Sequence, residues 1–189
     1  MRIPLSQGAV RLWSIEAPFA RVARSVIIVA IGSALIALAA HVQVPFWPVR
    51  LSLQSLAVML VGIALGGRLG GLTLLAYLAE GALGLPVFQG GAGLSYMVGP
   101  TGGFLLGYLL CSTGIGYAAD QGAFTRPLSA AVATAAGLLA IYLPGLIWLA
   151  LLFGPGKSLE YGLYPFLPGE LVKAALVLAL CGAIRRAQR

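Results

Sequence analysis

Charges are so sparse in this 189-residue sequence, 9% against 60% hydrophobic residues, that they divide it into long apolar runs. A soluble domain carries roughly a quarter charged residues. Six runs approach the ~20 apolar residues that cross a bilayer. They extend from Ser25 to Val42, Leu51 to Gly66, Leu69 to Leu85, Val98 to Ala119, Leu128 to Phe153, and Pro165 or Pro168 to Ile184. The 26 glycines are spread through these runs, which suits helices packed through small residues better than the short alternating strands of a membrane barrel. The expected fold class is therefore all-α, an integral membrane protein of six transmembrane helices. The second and third runs are short for a full crossing, and such segments are tolerated beside a protein-lined cavity.

Basic residues set the orientation. With the amino terminus inside, the inner segments hold Arg2, Arg11, Arg21, Arg24, Arg68, Arg126, Arg185, Arg186 and Arg189, against Arg50, Lys157 and Lys173 outside. That bias predicts a multi-pass protein of the cell membrane with both termini cytoplasmic. The net charge of +7 is thus explained by topology, since the basic residues form no stripe suited to a nucleic acid. Trp13, Glu16 and Pro18 precede the first run, and no small-residue cleavage site ends it, so it reads as a retained span. We expect one domain over 1–189, with 1–24 a cytoplasmic segment and 25–186 the six-helix core. Ala30 and Ala34, with Ser33 and Ala37 offset by one position, offer small-residue faces on the first span. They serve either internal packing or docking of another membrane subunit.

Three segments assigned to the outer side carry polar and aromatic residues that lipid contact does not favour. In Val42–Ser55, Pro45 and Pro48 forbid regular helix, and Phe46, Trp47, Arg50 and Gln54 stand together. Arg50 there is either a snorkelling anchor or a holder for a carboxylate, to which a guanidinium presents a planar donor fork. Gly84–Gly103 is glycine-dense, with Phe88, Gln89 and Tyr96 as its few large side chains. Such a stretch either connects two helices tightly or lets backbone approach a ligand. In the third segment, Glu170 and Lys173 lie three residues apart inside an apolar run. A charge at membrane depth costs on the order of 3 kcal/mol or more, so the two read as mutual partners or ligand contacts. Pro168 and Gly169 just before them resemble a helix start, where first-turn amides favour an anion. Lys157 and Glu160, by contrast, read as a solvated outer turn.

Other chemistry finds little support. The glycine-rich stretch has no Gly-Lys-Ser/Thr sequence for phosphate. His41 is the sole histidine, and Ser95 lacks the Gly-x-Ser-x context of an intramembrane protease nucleophile. Glu80, Glu160 and Glu170 have no His or Asp at metal-ligand spacing, and Cys111 and Cys181 sit in apolar runs as packing residues. The chain is expected to be no enzyme, with no metal and no cofactor.

Three stretches together resemble the BioY family, the biotin-specific S components of energy-coupling factor (ECF) transporters. They are Val44-Pro-Phe-Trp-Pro-Val-Arg-Leu-Ser-Leu-Gln-Ser, then Gly81-Ala-Leu-Gly-Leu-Pro-Val-Phe with Gly99-Pro-Thr-Gly-Gly-Phe, then Pro165-Phe-Leu-Pro-Gly-Glu-Leu-Val-Lys. The resemblance runs from about Ser25 to Arg186. It implies the six-helix S-component fold, biotin as transported ligand, and a site near the outer surface. Lys173 and Gln54 match family positions, Glu170 stands where the family usually has Asp, and Ser52 and Ser55 replace its threonines. Phe46, Trp47, Phe88 and Tyr96 would enclose the ring faces of biotin, Arg50 would meet its tail, and Gln89 is a further expected contact. The implied partners are a transmembrane T component, docked at Ala30 and Ala34, and two ATP-binding subunits, though solitary operation also occurs in the family. The readings left beside this one are an S component for another vitamin and a non-transport membrane assembly protein.

Overall fold

The structure, a computed structural model, describes residues 18–44 and 51–187. Phe46, Trp47 and Arg50 lie outside the described residues. Helix α1 (Pro18–His41) is followed by two-residue strands β1 (Gln43–Val44) and β2 (Leu51–Ser52), paired antiparallel. The remaining helices are α2 (Gln54–Ala82), α3 (Gly93–Met97), α4 (Gly102–Asp120), α5 (Pro127–Phe153), α6 (Pro155–Gly162) and α7 (Leu167–Ala187). Helices α1, α4, α5 and α7 are long and apolar enough to cross a membrane, as is α2 when its 29 residues are taken as one stretch.

The expected sixth span is inside α2. At Gly66 the backbone has φ 80° and ψ 171°, a conformation essentially reserved for glycine. The chain reverses there. A Cβ on Gly70 would lie 3.1 Å from Gly62 Cα, whereas residues eight apart in an unbroken helix are separated by ~12 Å. Residues 54–65 and 67–82 are therefore two antiparallel helical runs, the short second and third spans of the sequence. Asp120, at the end of α4, accepts the Gly67 N–H at 2.9 Å and so satisfies an amide that the new helix start would leave open. Gly116 allows the crossing: a Cβ there would come within 2.7 Å of Gly67 Cα.

Helix α4 lies between α2 and α5, and the core forms where they meet, around Met59, Leu74, Leu105, Ile115 and Ile141. Helix α1 leans on the second run of α2, with Gly32 against Thr73. Its opposite face exposes Ile27, Ile31, Leu35 and Leu38, spaced three to four residues apart as a lipid-facing stripe. The alternation of spans collects Arg21, Arg24, Arg68, Arg126, Arg185 and Arg186 at one end. There Arg185 donates to the Phe124 carbonyl at 3.1 Å, tying α7 to the short 3-10 turn Ala123–Thr125. The strand pair, α3 and α6 occupy the other end. The connection from Gly154 to Leu167, expected as a loop, contains α6.

Candidate ligand-binding cavity

At the end away from the arginines, α2, α4, α5, α6 and α7 enclose a cavity of about 460 Å³ with the segment after α2. That is the size of a small-molecule site. Its base is charged. Glu170 stands in the first turn of α7, and Lys173 lies one turn on along the same face. Both are 5% exposed, and with Ser55 of α2 they form a closed triangle. Lys173 Nζ donates to Glu170 Oε1 at 2.8 Å and to Ser55 Oγ at 2.9 Å. The Ser55 hydroxyl in turn faces both carboxylate oxygens, at 2.8 and 3.0 Å.

Such a pair contributes little to stability, because the desolvation of two buried charges offsets most of their attraction. Its value lies in what remains unused. An ammonium has three donors, of which Lys173 spends two within the triangle. The Glu170 carboxylate offers about four acceptor sites, of which the Lys173 ammonium, the Ser55 hydroxyl and the Tyr142 phenol occupy part. One donor beside spare acceptors, fixed at the floor of a cavity, suits a neutral ligand group that is itself both donor and acceptor.

The wall is braced from behind. Gln54 Nε2 donates to Tyr77 Oη at 2.9 Å, and Tyr77 passes its own hydrogen to the Val87 carbonyl at 2.9 Å. This relay ties the helix start to the glycine-rich segment. Tyr96, on α3, donates to the Gln89 carbonyl at 2.8 Å. Phe88 is 1% exposed and lies behind the wall, with its ring stacked on Tyr96 at 5.2 Å and edge-on to Tyr77 at 5.4 Å. Of the residues singled out from sequence, Gln54, Gln89, Tyr96, Glu170 and Lys173 line the cavity together, and Phe88 supports Tyr96 without lining it.

Sequence reasoning missed much of the apolar wall. Phe104, Tyr108, Tyr142 and Phe166 line the cavity, with Phe104 edge-on to Tyr142 at 5.7 Å. The phenol groups of Tyr108 and Tyr142, set within apolar spans, were the available signal, since a buried hydroxyl usually serves a partner. Lys157 also lines the cavity, on α6, so it does not stand in a purely solvated turn.

Ala30 and Ala34 lie elsewhere. Both are exposed and border a separate shallow groove with His41 and Glu80. Ser33, fully buried, points inward and donates to Glu80 Oε2. Ser33 thus serves internal packing, while Ala30, Ala34 and the half-buried Ala37 border the groove.

The BioY family model matches residues 10–189. A probable biotin transporter BioY of Pyrococcus horikoshii is 36% identical over 84% of this chain and 94% of its own length. The biotin transporter BioY of Thermotoga maritima is 37% identical over 86% of this chain and 95% of its own. Among solved structures, the S-component for biotin from an ECF-type ABC transporter superposes with a TM-score of 0.69 at 26% identity, covering 92% of this chain and 94% of that one. A family match over residues 10–189, with relatives more than 35% identical over most of both chains, establishes that this chain is a member of the BioY family.

Proposed function

We propose that this chain is the biotin-binding membrane subunit of a biotin uptake system, and that the cavity above Glu170 and Lys173 holds the vitamin. The observation that carries this reading is the buried Ser55–Glu170–Lys173 triangle at the floor of an aromatic cavity, in a chain whose relatives are named biotin transporters. Biotin has a fused ureido ring with two N–H donors and one carbonyl, an apolar thiophane, and an aliphatic tail ending in carboxylate. The Glu170 carboxylate accepts the ureido N–H groups and Lys173 donates to the carbonyl. Tyr96, Phe104 and Tyr142 enclose the thiophane. Glu170 keeps the acceptor that an Asp would give and places it one methylene further out.

The chain is a transport component and not an enzyme. The arginine-bearing end faces the cytoplasm, which puts both termini inside and opens the cavity to the outside. Release inward requires energy from other subunits: a transmembrane T component, received at the open Ala30/Ala34 face, and two ATP-binding subunits. Close approach of a partner helix to that face is what two alanines one turn apart permit.

Titration of the purified chain with biotin, thiamine and riboflavin tests the reading. Saturable binding of biotin alone is expected. Selective binding of another vitamin would reassign the ligand, and binding of none would favour an assembly role.

A further inference from the structure

We infer that Lys157, on the short helix α6, is the cation that receives the ligand's carboxylate, which makes α6 part of the binding site. This rests on the biotin reading above. Among the described residues, three charged side chains line the cavity: Glu170, Lys173 and Lys157. The first two face each other, and theirs is the ion pair found among the described residues. Lys157 has no carboxylate partner there, although Glu160 is three residues away on the same helix.

The cavity lining separates the two residues. Lys157 and Tyr161 are one turn apart and both line the cavity, whereas Glu160 does not. Helix α6 is held in that orientation by two contacts with α5, at Ser158 and Gly162. Ser158, 3% exposed, donates to the Leu146 carbonyl at 2.7 Å. Gly162 packs so closely on α5 that a Cβ would lie 2.5 Å from Leu149 Cδ1. Lys157 on this braced helix lines the cavity and is an exposed residue.

The distribution of charge then orients the ligand. The floor holds a carboxylate already, so a second carboxylate arriving there meets like-charge repulsion and competes with Glu170 for Lys173. Lys157, by contrast, has no carboxylate paired with it among the described residues. Between them Leu105, Ile141, Leu149 and Phe153 supply an apolar path for thiophane and aliphatic tail. A ligand with a neutral donor–acceptor ring at one end and an anion at the other fits in a single direction, ring down and carboxylate toward Lys157.

The test compares biotin with biotinamide, whose tail is uncharged, on wild type, Lys157→Gln, Lys157→Arg and Arg50→Gln. Lys157→Gln is expected to weaken biotin about three- to fivefold, the range of a partly exposed ion pair, and to leave biotinamide within about twofold. Lys157→Arg is expected to restore the preference for the acid. Unchanged biotin affinity in Lys157→Gln, or equal losses for acid and amide, would overturn the assignment. It would also fall if the acid–amide difference vanished in Arg50→Gln alone, because the carboxylate would then belong to Arg50. A wild-type chain that binds neither compound would overturn the biotin reading and this assignment with it.

Discussion

Two serine–glutamate pairs stand in different parts of this bundle, and α2 contributes to both. In the cavity floor, Ser55 of its first run bonds Glu170, and Lys173 completes the set with two further bonds. In the groove beside α1, Glu80 of its second run accepts the Ser33 hydroxyl, and no cation is paired with it among the described residues. The added ammonium is the difference. It compensates the carboxylate at a depth where Glu170 is 5% exposed, while half-buried Glu80 keeps access to its surroundings. A compensated pair with spare donors and acceptors is built to exchange hydrogen bonds with something else. A single carboxylate satisfied by one hydroxyl is built to join two helices.

The largest expected effect breaks the first pair on one side. Glu170→Ala or Lys173→Ala leaves a buried charge without its partner, a defect that costs about 3–5 kcal/mol. Each change is expected to lower thermal stability and to weaken biotin at least about tenfold, measured by melting and equilibrium titration of the purified protein. A folded single variant with wild-type affinity would remove that residue from the site.

The smallest effect belongs to the second pair. Glu80→Gln keeps an acceptor for Ser33 and removes only the charge, so stability should move by about 1 kcal/mol or less. Biotin affinity should stay within about twofold in the same titration. A loss comparable to that of Glu170→Ala would erase the functional distinction between the two pairs.

The sequence made some of this plain and hid the rest for physical reasons. Glu170 and Lys173 are visible because charges are conspicuous in an apolar run, and their spacing of three places them on one helix face. The α2 reversal was readable as two runs short for a full crossing, Leu51 to Gly66 and Leu69 to Leu85, with Gly67 and Arg68 between them. Ser55 went unassigned, since its bond to Glu170 spans 115 positions and a serine in an apolar helix commonly bonds its own backbone. Tyr108 and Tyr142 were hidden because aromatic residues in membrane spans face lipid, core or cavity with the same hydropathy. Phe88 shows the converse: its place in a glycine-rich segment marked it as important but did not say whether its ring would face the cavity or brace Tyr96. Lys157 was misread because an eight-residue helix after a Gly-Pro pair has too few turns to declare its face.

The measurement that bears most directly on the account replaces both members of the floor pair together. A Glu170→Leu/Lys173→Met variant leaves no unpaired charge, and buried ion pairs exchanged for apolar residues of similar volume are often neutral or stabilising. The account predicts a protein that melts at or above the wild-type temperature yet binds biotin at least about tenfold more weakly by equilibrium titration. A double variant that folds and retains wild-type biotin affinity would contradict it, because recognition would then reside in something other than the Glu170–Lys173 pair.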